Sequence, residues 1–175
     1  MPYTVTVIVN GGGNIFEISG NVEGSTLGIV TVKAFLQGFN DYVLVSGTFN
    51  NGSFNLKLPD EVADEYLGDW SQGIGLTISN PAVKTRAVSE LICYNNQNNR
   101  IGKLRLIDGD DYCMYLYNDR DGTITGTLTG TNYIYDLTFN KGWRLAYVVK
   151  DGENFIKNTT TKPIGRTFKW VYTSD

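Results

Sequence analysis

The chain has 175 residues and contains no histidine, two cysteines and four prolines. Without histidine, a single chain cannot form a Ser-His-Asp or Cys-His nucleophilic site or a histidine-ligated zinc site. A phosphate loop of the Walker type is also missing, because the glycine-rich residues 11–16 (GGGNIF) lack the Lys-Ser/Thr that holds phosphate and magnesium. We therefore expect a protein that is not an enzyme and uses no cofactor.

Long apolar runs are absent as well, so the sequence predicts no transmembrane segment. The strand-like residues 3–10 (YTVTVIVN) follow Met1 and Pro2 directly, without the charged segment and apolar core of an export signal. Either the protein stays inside the cell, or a signal is removed from it. Twenty glycines, eleven tyrosines and many Thr and Asn are typical of secreted and envelope β-proteins. This composition favours a secreted, periplasmic or cell-surface location.

Charge is divided unevenly along the chain. Residues 1–83 hold 2 Lys/Arg and 8 Asp/Glu, whereas residues 84–175 hold 13 and 10. Together with the loss of strand character at Asn80-Pro81, this predicts two units, at residues 1–80 and 84–175, with one continuous domain as the alternative. The basic residues between Lys141 and Lys169 are spread singly along predicted strands, which favours solvated faces over a nucleic-acid partner.

Alternation of apolar and polar residues runs nearly from end to end. In residues 16–22 (FEISGNV) and 53–58 (SFNLKL), for example, every second side chain is apolar, as in a half-buried strand. Asn51-Gly52 is a strong hairpin signal between two such strands. A dozen short strands about ten residues apart predict an all-β protein, specifically one large or two small antiparallel β-sandwiches.

One segment departs from the alternation. Residues 59–68 (PDEVADEYLG) pair apolar residues four positions apart, place acidic residues behind Pro59 and end at Gly68. Acidic residues are favoured near a helix N-terminus, and glycine is common at its end. The segment predicts one short helix.

A recurring phrase, Ser/Thr-Gly followed by a polar and an apolar residue, occurs around Gly20, Gly47 and Gly126. In each copy the glycine lies between apolar residues of a predicted strand, where its missing side chain permits a bulge or the close approach of another element. The spacing between copies is not constant, so the phrase indicates strand geometry and not a repeat.

Cys93 and Cys113 lie on predicted strands separated by a third strand. At the usual spacing their lateral separation is about 9–10 Å, which exceeds the reach of a disulfide. We predict two free, buried thiols.

Acidic residues cluster on two predicted turns, residues 108–111 (DGDD) and 118–122 (NDRDG), which flank the same strand. Because hairpin turns are often rich in Asp, turn formation is the favoured interpretation and no metal is predicted. Two alternatives remain open. Carboxylates on neighbouring turns can bind calcium, with Asp108, Asp110, Asp119 and Asp121 as candidate ligands. A pair such as Asp111 and Asp119 could also act as the acid and base of a glycosidase.

The aromatic residues suggest a different kind of site. Most fall in the apolar register of their strands, as in residues 133–139 (YIYDLTF), where core packing is favoured. Residues 112–118 (YCMYLYN) differ because both faces of this strand are apolar, so it is either central between two layers or supports a ligand surface. The candidate ligand-binding residues are Tyr115, Tyr117 and Trp143.

Residues 18–59 resemble the transthyretin-like or carboxypeptidase-regulatory-like β-sandwich module. The resemblance lies in a Gly-x-Val start (residues 20–22), a central Val-x-Val strand (residues 30–32) and a glycine before Phe-x-Leu (residues 52–56). Residues 84–175 are similar to uncharacterised envelope proteins of gut Bacteroidetes, many of them expected to be lipoproteins. The resemblance implies an envelope location, but the chain shows no lipobox cysteine.

Three functional hypotheses follow. The first is a noncatalytic secreted or cell-envelope module for structure or interaction, whose partner would be a glycan or an envelope protein. The second is a carbohydrate or small-ligand binding module. The third is a carboxylate-dependent glycosidase.

Overall fold

A computed structural model of the chain describes residues 16–24, 26–70 and 73–175. These residues form fifteen β-strands and no α-helix, which confirms the prediction of an all-β protein. The strand predicted at residues 3–10 lies outside the described residues. In the described ranges no helix is long and apolar enough to cross a membrane. The strands are β1 (Glu17–Glu23), β2 (Thr31–Phe35), β3 (Val43–Asn50), β4 (Ser53–Lys57), β5 (Gly68–Asp69), β6 (Leu76–Ile78), β7 (Lys84–Val88), β8 (Leu91–Tyr94), β9 (Arg100–Asp108), β10 (Asp111–Asn118), β11 (Gly122–Thr127), β12 (Tyr133–Phe139), β13 (Gly142–Asp151), β14 (Phe155–Thr159) and β15 (Lys169–Ser174).

Seven of these strands close into a barrel. Around the ring the order is β1-β4-β3-β2-β8-β9-β15, and β15 returns to β1. Every contact in the ring is antiparallel except the one between β15 and β1, which aligns Trp170 with Val22 in parallel. These strands therefore form a closed barrel and not the sandwich that the sequence predicted. Alternation specifies which side chains point inward, but a sandwich and a barrel require the same alternation.

The remaining strands form a second sheet in the order β5-β7-β10-β13-β14-β12-β11-β6. A short contact between β9 and β10 joins it to the barrel, where Asp108 faces Asp111 and Ile107 faces Tyr112. The barrel takes its strands from residues 17–57, 91–108 and 169–174. The division between barrel and second sheet consequently does not coincide with the domain boundary predicted at residues 80–84.

The central strands β10 and β13 of the second sheet are covered on both faces. One face, which includes Tyr115 and Trp143, belongs to a cluster of buried side chains that continues into the barrel. The opposite face, which includes Leu116 and Ala146, belongs to a separate cluster enclosed by β6, β11 and β12. This arrangement explains why the sequence of β10 is apolar on both sides.

The helix predicted at residues 59–68 is wrong. The structure has only a single 3₁₀ turn there, Asp64–Tyr66, within otherwise extended chain. The Pro59 carbonyl accepts a hydrogen bond from Trp143 Nε1 at 2.8 Å, and the Tyr66 ring stacks on Tyr42 with centroids 4.1 Å apart. Because a helix of about ten residues is marginal by itself, such tertiary contacts determine the conformation of the segment.

The three glycines of the recurring phrase allow close approach, as predicted. A Cβ atom on Gly20 would lie 2.3 Å from Trp170 Cδ1, and one on Gly47 would lie 2.6 Å from Leu56 Cδ2. At Gly126 the nearest atom would be the Gly75 carbonyl oxygen, also at 2.6 Å. All three distances are too short for a real side chain, so the phrase marks positions where another element packs against bare backbone.

Cys93 and Cys113 are free and buried, which confirms the prediction for both thiols. Burial, with a smaller contribution from the charge of Asp175, raises the pKa of Cys93 from 9.0 to about 12. Burial likewise raises the pKa of Cys113. Thiolates are the reactive form of cysteine, so both side chains are inert in the folded protein.

We therefore expect a thiol reagent at neutral pH to label neither Cys93 nor Cys113 in the native protein and to label both after denaturation. Alkaline pH should lower stability, because the unfolded chain loses the Cys93 proton near pH 9 while the folded protein keeps it to about pH 12. The stability that the buried, protonated Cys93 thiol contributes is complete below pH 9 and is lost as the pH rises from 9 to about 12. Rapid labelling of the native protein at neutral pH would contradict the burial.

Candidate functional site

Tyr115, Tyr117 and Trp143, the ligand-binding residues predicted from the sequence, lie in the core. Their exposed fractions are 4%, 2% and 2%. The rings of Tyr117 and Trp143 pack against each other with centroids 5.3 Å apart. None of the three lines the cavity described below, and the alternation placed them on the face of the sheet that packs against the barrel.

The four Asp residues considered as calcium ligands are not brought together. Asp108 and Asp110 lie before β10, whereas Asp119 and Asp121 follow it, so the two turns are about 25 Å apart at the usual rise per residue. In the described ranges no group of three or more Cys, Asp or Glu side chains is close enough to hold a metal ion. Each carboxylate instead accepts a hydrogen bond from another part of the fold: Asp108 from Thr167 N, Asp110 from Lys150 Nζ, Asp119 from Lys84 N and Asp121 from Lys141 N.

Asp111, considered with Asp119 as a glycosidase pair, is buried at the start of β10. Its carboxylate accepts a hydrogen bond from Lys150 N at 2.8 Å and pairs with Arg166 at 2.7 Å. These contacts tie β13 and the segment before β15 to the strand. Asp111 and Asp119 lie at opposite ends of β10, beyond the separation that glycosidase carboxylates require.

A cavity of about 360 Å³ lies against one face of the second sheet. This volume falls within the range of small-ligand sites in proteins. Its lining combines aromatic, aliphatic and polar side chains. The aromatic ones are Trp70, Tyr112, Tyr133 and Tyr135; the larger aliphatic ones are Met114, Leu116 and Leu137; the polar ones are Gln37, Asp69, Thr85, Arg86 and Asn158.

Strand register explains why these residues meet. Tyr112 on β10, Val148 on β13, Asn158 on β14 and Tyr135 on β12 are successive partners across the sheet. Residues paired laterally in a sheet point to the same face, so the four side chains form one row. Met114 follows Tyr112 on the same face of β10, because side chains alternate along a strand.

Trp70 directly follows β5 and lines the cavity. Its indole Nε1 donates a hydrogen bond to Thr85 Oγ1 at 3.1 Å. Its ring meets Tyr135 edge to face, with centroids 5.3 Å apart and planes at 77°. A hydrogen bond and an aromatic contact together fix the orientation of a ring, so the structure holds Trp70 in place before any ligand arrives.

The hydroxyl groups of Tyr112 and Tyr135 stay protonated at neutral pH. Burial raises the pKa of Tyr112, against a smaller lowering by Arg105, whose guanidinium lies 4.7 Å from the ring centroid. Burial also raises the pKa of Tyr135, with Tyr133 and Tyr112 adding to the effect. A neutral phenol both donates and accepts hydrogen bonds, so these groups suit a hydroxyl-bearing ligand.

Asn158, like Thr85, is a buried polar residue of the cavity lining. Its residue is 5% exposed, and its Nδ2 atom has no hydrogen-bond acceptor among the described residues. A buried donor without a partner costs about 1–3 kcal/mol, so such groups usually have a functional or structural reason. Because the Nδ2 atom itself is buried, a ligand oxygen reaches this donor only if the Asn158 side chain turns toward the cavity.

Arg86 and Asp69 give the cavity one charge of each sign. Arg86 Nε donates to the Tyr66 carbonyl at 2.6 Å, and its guanidinium lies 5.1 Å from the Phe39 ring centroid. Asp69 is the only carboxylate among the described lining residues. The site can therefore bind a polar ligand but does not offer two carboxylates for acid-base chemistry.

Sequence reasoning missed most of this site. The alternation favours core packing for Tyr133 and Tyr135, Trp70 is one of many aromatic residues that could form a stacking platform, and Asn158 has no signal in the sequence. The useful signal was the second apolar face of β10, which lines the cavity with Tyr112, Met114 and Leu116.

Comparisons with protein-family models, curated proteins and solved structures find no match for this chain.

Proposed function

We propose that this protein is a noncatalytic binding module that takes a small, polar, ring-containing ligand into the cavity of the second sheet. The observation that carries the proposal is the unpaired amide of Asn158 in a cavity walled by aromatic rings. Apolar walls with a few convergent polar groups are the usual composition of ligand sites.

The noncatalytic part of the proposal is supported by the residues of the lining. Glycoside hydrolysis uses two carboxylates about 5–9.5 Å apart on either side of the bond that breaks. Asp69 has no second carboxylate beside it among the described residues of the cavity. The chain also has no histidine to act as a general base.

Location and partner are part of the same proposal. The composition and the resemblance to envelope proteins favour a secreted, periplasmic or cell-surface protein, in which residues 18–59 resemble a transthyretin-like module. A glycan or another envelope molecule is the partner that a binding module would meet there.

Filling the cavity should abolish ligand binding. Met114 is half-buried and lines the cavity, so Met114→Trp places a larger side chain in the space that a ligand would use. We expect ligand-observed NMR with a library of sugars, nucleosides and aromatic acids to detect binding to the natural protein. The affinity should fall by about tenfold or more in the variant.

Thr125→Trp is the matched control, because Thr125 is exposed on β11 and does not line the cavity. This variant should bind as the natural protein does, and both variants should keep their thermal transition. If Met114→Trp binds every ligand with unchanged affinity, or if no compound in the library binds, the proposed site is wrong.

A further inference from the structure

The cavity borders β10 over five residues. Its lining includes Tyr112, Met114 and Leu116 on one face of this strand. The four residue steps from Tyr112 to Leu116 span about 13 Å. A single pyranose ring covers less than half of this length, so the cavity has room for more than one ring in a row.

Aromatic side chains occur at two levels of the lining. Trp70 and Tyr135 meet each other within the cavity, while Tyr133, which is 37% exposed, lies one step further along the same face of β12. Aromatic faces pack against the C–H faces of sugar rings as they do against other apolar surfaces. Two such levels suit a ligand with two or three linked rings.

The polar groups select a ligand rich in hydroxyls. Asn158 Nδ2 needs an acceptor, and the protonated phenols of Tyr112 and Tyr135 both donate and accept. A lipid or a plain aromatic compound would leave the buried amide unpaired, which is unfavourable.

The charges of the lining select a neutral ligand. Asp69 and Arg86 carry opposite charges, so the described lining has no excess charge to attract an acidic or a basic group. Polar side chains of both kinds can instead share hydrogen bonds with neighbouring hydroxyls.

We infer that the ligand is a neutral oligosaccharide segment of two or three pyranose units that lies along β10, with one hydroxyl or carbonyl oxygen on Asn158. This inference rests on the proposed binding function. It adds the chemical class of the ligand, its length and the residue that recognises it.

The test is isothermal titration with four neutral trisaccharides, namely cellotriose, xylotriose, maltotriose and chitotriose, each compared with its monosaccharide. At least one trisaccharide should bind about tenfold more tightly than its monosaccharide. Tyr135→Ala and Asn158→Leu should each weaken this binding by about tenfold or more. Asn158→Leu should melt no lower than the natural protein, because it removes a buried donor that has no partner.

Tyr94→Ala and Asn55→Leu are the matched controls, since both residues lie outside this cavity. They should leave trisaccharide binding unchanged. Tyr135→Phe keeps the ring that packs on Trp70 and removes only the hydroxyl, so it replaces Tyr135→Ala if that variant does not fold.

The outcomes separate the two proposals. If no trisaccharide binds but another class of compound binds in a manner sensitive to Met114→Trp, the oligosaccharide inference is wrong and the proposed function stands. If a trisaccharide binds equally well to the Tyr135 and Asn158 variants, the inference is wrong about the site. If nothing binds from any class, both proposals fail.

Discussion

Trp143→Ala is expected to lower the free energy of unfolding by about 3–5 kcal/mol, the usual cost of removing a large buried aromatic side chain. Trp143 is 2% exposed, and its indole packs on Tyr117 and donates a hydrogen bond to the Pro59 carbonyl. The substitution would leave a cavity and an unpaired carbonyl group. Because whole domains are stable by only about 5–15 kcal/mol, the variant should be close to the limit of folding. Urea denaturation followed by tyrosine and tryptophan fluorescence measures the loss.

Trp70→Ala is the comparison for this prediction. Trp70 is only half-buried and borders the cavity, so its removal should cost clearly less than the removal of Trp143. If the two variants lose equal stability, or if Trp143→Ala unfolds at the same urea concentration as the natural protein, the placement of Trp143 in the core is wrong.

Gly20→Ala is expected to destabilise the barrel by about 3 kcal/mol, at the upper end of the usual cost of overpacking. The new Cβ would lie 2.3 Å from Trp170 Cδ1 and 2.6 Å from Trp170 Nε1. The indole cannot easily move, because it is buried, packs edge to face on Phe54 and donates a hydrogen bond to the Ser19 carbonyl. At an uncrowded strand position, replacing glycine with alanine would slightly raise the stability of the protein. A loss of stability in Gly20→Ala therefore identifies the clash.

Asn21→Ala provides the control on the same strand. Asn21 is exposed and next to Gly20, so its substitution should change stability by no more than about 0.5 kcal/mol. Chemical denaturation of the two variants side by side measures the difference. A Gly20→Ala protein as stable as the natural one would mean that β1 and Trp170 are not in contact.

Local features of the fold could be predicted from the sequence because they depend on neighbouring residues. The turn at Asn51-Gly52 joins β3 to β4, and both residues have positive φ angles, as the Asn-Gly signal predicts. Phe54 and Leu56 are buried at alternate positions of β4, as their spacing predicts. The parallel pairing of β12 with β14 has no local signature, because the two strands are not consecutive and β13 lies between them in the sequence.

The candidate site was harder to predict for a related reason. Tyr135 does share a face with Leu137 and Phe139, as the alternation indicates, and the last two are buried. Alternation shows which face points inward, but it cannot show whether that interior is filled. Only the tertiary arrangement, including the contact of Trp70 with Tyr135, decides that the row beside Asn158 borders a cavity.

The way in which the barrel closes has a consequence for how the protein is made. β15 joins β1 to β9, so the ring is complete only when nearly the whole chain is available. During synthesis on a ribosome, β1 to β4 emerge early and must wait with an unpaired edge until residues 169–174 arrive. Contacts between such distant segments make folding slow, since the entropy of a long loop is lost before the contact forms. The barrel should therefore close only after β15 has been made, and the open edge of β1 is where premature association with another chain would begin.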